Sequence, residues 1–79
     1  MPRYYFDLAD GQSNRDEEGT ALPSLRAVRV AAVEMLGHVL RDKSRTFWDE
    51  PDLKLTVRSD DDLILMRLSV SGTLAPASR

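Results

Sequence analysis

The sequence predicts an α+β fold, a two-layer β-α-β-β sandwich with one helix across a small three-stranded antiparallel sheet. Three observations carry that expectation. Apolar residues fall at every second position in three separate stretches. One longer stretch between the first two carries them at helical spacing. Turn-forming residues separate the four.

The first strand is read over residues 3–8, where Tyr4, Phe6 and Leu8 alternate with Arg3, Tyr5 and Asp7. Aromatics at period two mark a half-buried strand. "ADGQSN" follows as a turn, with Asp10-Gly11 suited to positive φ, and a short extended return over residues 13–17 is allowed. The helix spans Leu25–Asp42. Ser24 precedes it as an N-cap whose hydroxyl accepts from a first-turn N–H, and Leu22 is placed to pack back on Val28 as a staple. At about 100° per residue, Leu25, Val28, Ala32, Met35, Leu36 and Val39 share the core face, while Arg41 and Lys43 complement the helix dipole at its end. "SRTFWDEPD" reads as a loop closed by Pro51. Leu53, Leu55 and Val57 then define the second strand. "SDDD" is a polar turn, and the third strand runs from residue 63 to about 71 with Ile64, Met66, Leu68 and Val70 inward.

A helix that carries the chain back would set the second strand parallel to the first, with the third antiparallel to both. The third strand is the longest and most apolar, so the favoured spatial order is 2-3-1, with every neighbouring pair antiparallel. The alternative order, 3-2-1, sets the first two strands side by side in parallel. Residues 1–71 form a single domain, with 72–79 expected as a flexible tail.

Seventy-nine residues stand near the lower size limit for an unaided core. The absence of cysteine removes disulfides and every thiolate metal site, and fits a reducing cytoplasm. The first ten residues lack the apolar run of a signal peptide, and no stretch reaches the roughly 20 apolar residues of a membrane span. A net charge of −2 gives no overall attraction to nucleic acid or anionic lipid.

"DEEGTALPS", residues 16–24, is the stretch richest in functional suggestion. Asp7, Asp10, Asp16, Glu17 and Glu18 together resemble a hard-cation cluster, yet the calcium-loop pattern fails. With Gly11 in its glycine position, the first and third ligands would be Phe6 and Leu8. The stretch reads instead as a helix lead-in, in which Gly19 turns the chain, Leu22 staples, Pro23 stiffens and Ser24 caps. No metal and no cofactor is expected. His38, the single histidine, lies one turn from Glu34 as an ordinary surface pair. Without a cysteine nucleophile, a serine elbow or a glycine-rich phosphate loop, no enzyme is expected.

Two surfaces stand out. Val30, Val33, Gly37 and Leu40 form a second apolar stripe on the helix, where a surface helix usually carries charge. The stripe suits a partner helix, with Gly37 allowing close approach. Trp48, beside Phe47, either caps the open end of the core or anchors a partner. The open sheet face gathers Arg3, Tyr5, Lys54, Arg58 and Arg67, a basic and aromatic set of the kind that binds single-stranded nucleic acid.

"MPRYYFDL" and "DEEGTALPS" resemble a family of small bacterial proteins, chiefly alphaproteobacterial, that open M-P-R-Y-[FY]-F-D. Those proteins carry D-E-E-G-x-E-L-P-D ahead of an alanine-rich helix. That family is a domain of unknown function, so the resemblance implies a small cytoplasmic bacterial protein without an assigned activity. Ala21 departs from the family's Glu, and Ser24 from its Asp. The expected function is a non-enzymatic interaction module whose partner is another protein or itself, as a homodimer, with no membrane contact. Single-stranded nucleic-acid binding is the alternative.

Overall fold

A computed structural model describes residues 1–78. Alternation turns Tyr4 and Phe6 of β1 (Arg3–Ala9) into the core, and Leu53, Leu55 and Val57 of β4 (Asp52–Ser59) beside them. Between these strands lie β2 (Ser13–Asn14), β3 (Thr20–Ala21) and α1 (Leu25–Asp42), and β5 (Ile64–Ser71) follows. Phe47–Asp49 and Pro76–Ser78 form single 3-10 turns, the latter within the segment expected to be a flexible tail. Arg79, also part of that segment, lies outside the described residues.

The fold is α+β with one helix and an antiparallel sheet, as expected, but the sheet has five strands and not three. Its order is β2-β1-β4-β5, with β3 also on β1, and every pairing is antiparallel. The predicted order 2-3-1 is therefore corrected, because the second long strand, β4, is central and the third, β5, lies at the edge. The three long strands take the alternative order, 3-2-1, but β1 and β4 are antiparallel and not parallel neighbours.

The reason lies in residues 10–21. They bring the chain back along β1 before the helix begins, so that Thr20 pairs with Tyr4 and Ala21 with Arg3. The Leu22 N–H then donates to the Pro2 carbonyl at 3.1 Å. A helix of this length spans about 27 Å and delivers the chain to the far end of β1, where the Lys43 ammonium meets Asp10 at 2.8 Å. β4 thus enters beside Ala9 and runs against β1. Two strands of two residues each are too short to show a period, so the extra reversal left only the faint trace read over residues 13–17.

The helix bounds agree with the sequence reading. The Ser24 hydroxyl accepts from the Ala27 N–H at 3.1 Å, as an N-cap should. Val28, Ala32 and Leu36 are buried, while Met35, Val39 and Leu22 pack half-buried against the same cluster. Leu25, expected in the core stripe, stands exposed in the first turn. Ile64 is likewise exposed, because the β4–β5 register shifts beside Val57. Met66 opposes Val57 and Ile64 opposes Arg58, which leaves Leu65 as the extra residue of a bulge.

Candidate functional site

The sheet face turned away from the helix is organised around Arg58, which is only 8% exposed. Its Nε donates to Asp7 Oδ2 at 2.7 Å, and Nη2 donates to Asp7 Oδ1 at 3.3 Å and to the Asp16 carbonyl at 2.8 Å. Nη1 donates to Asp62 Oδ1 at 3.2 Å. The guanidinium also lies 4.8 Å from the centroid of the Tyr5 ring, within cation–π range. A planar fork of fixed donors fits this role, whereas an ammonium could not reach all three acceptors. The hydrogen bond to Asp7 raises the pKa of Arg58 further, against its desolvation. For Asp7, burial pushes the pKa up, but the hydrogen bonds from Arg58 and the Asp16 N–H, with the charges of Arg58 and Arg15, bring it below its ordinary value.

Asp16 explains "DEEG" more fully than a helix lead-in does. β2 pairs with the end of β1 and β3 with its start, which leaves a gap along the edge opposite Phe6. Asp16 Oδ2 fills the gap by accepting from the Phe6 N–H at 3.1 Å, in place of a strand carbonyl. Its Oδ1 accepts from the N–H groups of Glu18 and Gly19, and its own N–H donates to Asp7. Burial raises the Asp16 pKa, yet the Gly19, Phe6 and Glu18 N–H groups outweigh it and hold the carboxyl low. Gly19 has φ +71°, and a Cβ there would stand 2.8 Å from Arg3 and Tyr5. The turn role predicted for Gly19 is therefore correct, and Gly11 likewise has positive φ.

These pairings disperse the acidic cluster. Asp7 and Asp16 serve Arg58 and the backbone, Asp10 serves Lys43, and Glu17 and Glu18 face solvent. Among the described residues no group of three or more His, Asp or Glu side chains could hold a metal ion. "SDDD" forms the β4–β5 hairpin turn, with the Asp62 N–H donating to the Ser59 carbonyl. Asp62 takes φ +66° and pairs with both Arg15 and Arg58. Asp7, Asp16 and Asp62 were missed as Arg58 ligands by sequence reasoning. The one available signal was Asp7, a lone acid on a strand face otherwise basic.

Of the residues expected to face nucleic acid, Tyr5 and Arg58 come together, but with each other. Arg3 donates to the carbonyls of Glu18 and Gly19. Lys54, 4.0 Å from Asp52, and Arg67 remain exposed on this face. His38 stands exposed on the helix, and no ion pair joins it to Glu34 among the described residues.

The residues expected at an interface do not form one patch. Val30, Val33 and Gly37 share the outer helix face, with Val33 61% exposed. Leu40 departs from them and packs half-buried against its own core. Trp48 lies elsewhere, on the 3-10 turn, edge-to-face with Phe47 at 5.7 Å and with its ring over Gly72. Phe47 packs on the core, whereas Trp48 is half exposed.

A further apolar surface follows from the corrected strand order. The helix covers β1 and β4, whose inward residues apart from Leu8 are buried, but Met66, Leu68 and Val70 of β5 are all only partly covered. Leu63, Ile64 and Leu65 at the head of β5 are exposed. Met35 lies beside Phe6, Leu8 and Thr20, on the β1 side of the helix. Half-buried Leu40 falls on the opposite flank at 100° per residue, toward β5, and exposed Val33 adjoins it at the border of the outer face. Among the described residues β5 pairs with β4 alone, so its other edge is open.

The family model for a domain of unknown function, DUF6894, matches residues 3–71, from the first residue of β1 to the last of β5. The chain belongs to the DUF6894 family. The family carries no assigned activity, and its match covers both the Arg58 cluster and the open edge. No curated protein and no solved structure matches this DUF6894 chain. No helix among its described residues is long and apolar enough to cross a membrane.

Proposed function

We propose that this DUF6894 domain is a non-enzymatic interaction module that works as a homodimer in the bacterial cytoplasm. The observation that carries the reading is the unsatisfied apolar surface of β5 and the adjoining helix flank. A small domain gains core by covering such a surface with a second copy. The Arg58 cluster supports the same reading: Arg58, Asp16 and Asp62 line an open surface cavity beside Tyr5 and Glu17, but they spend their hydrogen bonds on each other and on the backbone. A reducing cytoplasm suits a chain without cysteine, and the likeness of its opening and "DEEG" motifs to alphaproteobacterial proteins supports a bacterial setting. Nucleic-acid binding on the open sheet face is the weaker reading, since Arg3 and Arg58 are already engaged within the chain.

Sedimentation equilibrium over a wide concentration range tests the proposal. A mass that rises to twice the chain mass, and falls back in Val33→Asp, is the expected result. A monomer mass at every concentration would remove it. Binding of short single-stranded RNA that weakens with salt and with Arg67→Ala would favour the alternative.

A further inference from the structure

We infer that the second copy docks edge to edge, β5 against β5, in an antiparallel register centred on Leu68. This inference rests on the homodimer reading and specifies its geometry.

The direction of the backbone groups sets which residues are available. The Phe6 N–H points away from β4, to Asp16. Phe6 and Val57 are therefore a non-hydrogen-bonded pair, and by alternation Leu53, Leu55 and Val57 direct their backbone groups to β5. Met66, Leu68 and Val70 receive them, a phase that the Gly72 N–H continues by donating to the Pro51 carbonyl at 3.0 Å. Arg67, Ser69 and Ser71 consequently present their N–H and C=O groups at the open edge. An unpaired row of this kind is a template for another strand.

Symmetry and charge then select the register. A two-fold centred on Leu68 sets Leu68 against itself as a non-hydrogen-bonded pair, Met66 against Val70, and Arg67 against Ser69 in hydrogen-bonded pairs. Centring on Arg67 would oppose like charges across the strands, and centring on Ser69 shortens the paired stretch. In the Leu68 register, opposed residues share a face, so both helices lie on one side of a continuous sheet. The Met66, Leu68 and Val70 side chains of the two copies form a joint apolar floor between them, flanked by Val33 and Leu40.

The exposed area agrees in size. The chain exposes 5865 Å², whereas a folded monomer of its 8.9 kDa mass exposes about 4,800 Å². The excess, about 1,000 Å², is of the order of the roughly 800 Å² that each partner buries in a standard-size interface.

Because the chain has no cysteine, introduced thiols report the register directly. Under mild oxidation Leu68→Cys is expected to form a disulfide dimer, since opposed Cα atoms in a non-hydrogen-bonded pair lie about 4.5 Å apart. Leu68 contributes to the core, so the exposed pair provides a second measurement that leaves the core intact. A mixture of Arg67→Cys and Ser69→Cys chains should give the mixed disulfide, while either alone, two positions out of register, should lose it. Self-crosslinking of Arg67→Cys alone would overturn the register. A dimer in sedimentation that crosslinks only through Gly37→Cys would overturn edge pairing and leave self-association standing. A monomer throughout would overturn both.

Discussion

Arg58 is a buried cation held by Asp7, Asp62 and a backbone carbonyl, and Asp16 is a carboxylate standing in for a strand. At this scale the consequences are energetic and separable. Asp16→Ala strips acceptors from the N–H groups of Phe6, Glu18 and Gly19. Urea unfolding should therefore show a loss of roughly 1–3 kcal/mol, the cost of leaving partly buried donors unpaired. Asp7 and Asp16 both have folded pKa values below the ordinary range. In acid the unfolded chain binds more protons at these two sites than the folded one. Their contribution is thus complete above the unfolded value of about 3.9 and is lost as pH falls through the lower folded values. Urea midpoints measured downward through that window should fall more gently in Asp7→Asn than in the parent. Gly72 is required by space, because a Cβ there would stand 2.8 Å from the Trp48 ring. Gly72→Ala should displace the indole, and a red shift of tryptophan emission would register it.

At the scale of the elements, the helix reads directly from its local chemistry. Ser24→Ala should cost about 1 kcal/mol through the lost cap, read by thermal or urea unfolding. Gly37 lies mid-helix, where a Cβ would meet nothing within 4 Å of its own chain. Gly37→Ala should accordingly stabilise the monomer by about 1 kcal/mol. The edge strand gives the contrasting prediction. Ser69→Pro removes an outward N–H twice per dimer and no bond to β4. It should weaken self-association roughly tenfold in sedimentation, with unchanged far-ultraviolet circular dichroism.

For the whole molecule, the decisive event is the reversal between Ala9 and Leu25. It returns the chain to the start of β1, sends the helix the other way, and makes β4 central. The most apolar strand is thereby left at an edge, with its inward side chains only half covered. Principal extents of 49 × 22 × 19 Å describe an elongated body, and its radius of gyration, 14.2 Å, exceeds the roughly 11.6 Å of a compact chain this long.

The sequence by itself determined the helix and its cap, the three long strands, and the inward faces of β1 and β4. Each depends on a period or on neighbouring residues, and those signals are local. It also determined the positive-φ turn at Gly11 and the turn at Gly19, whose φ proves positive as well, because few other residues accept that backbone. Strand order, the Arg58 cluster and the open β5 edge were decided only by the tertiary structure. Asp7 and Arg58 are 51 residues apart, and no periodicity links residues at such a distance. Two two-residue strands carry too little pattern to announce themselves, yet they reverse the chain and so choose which strand is left uncovered.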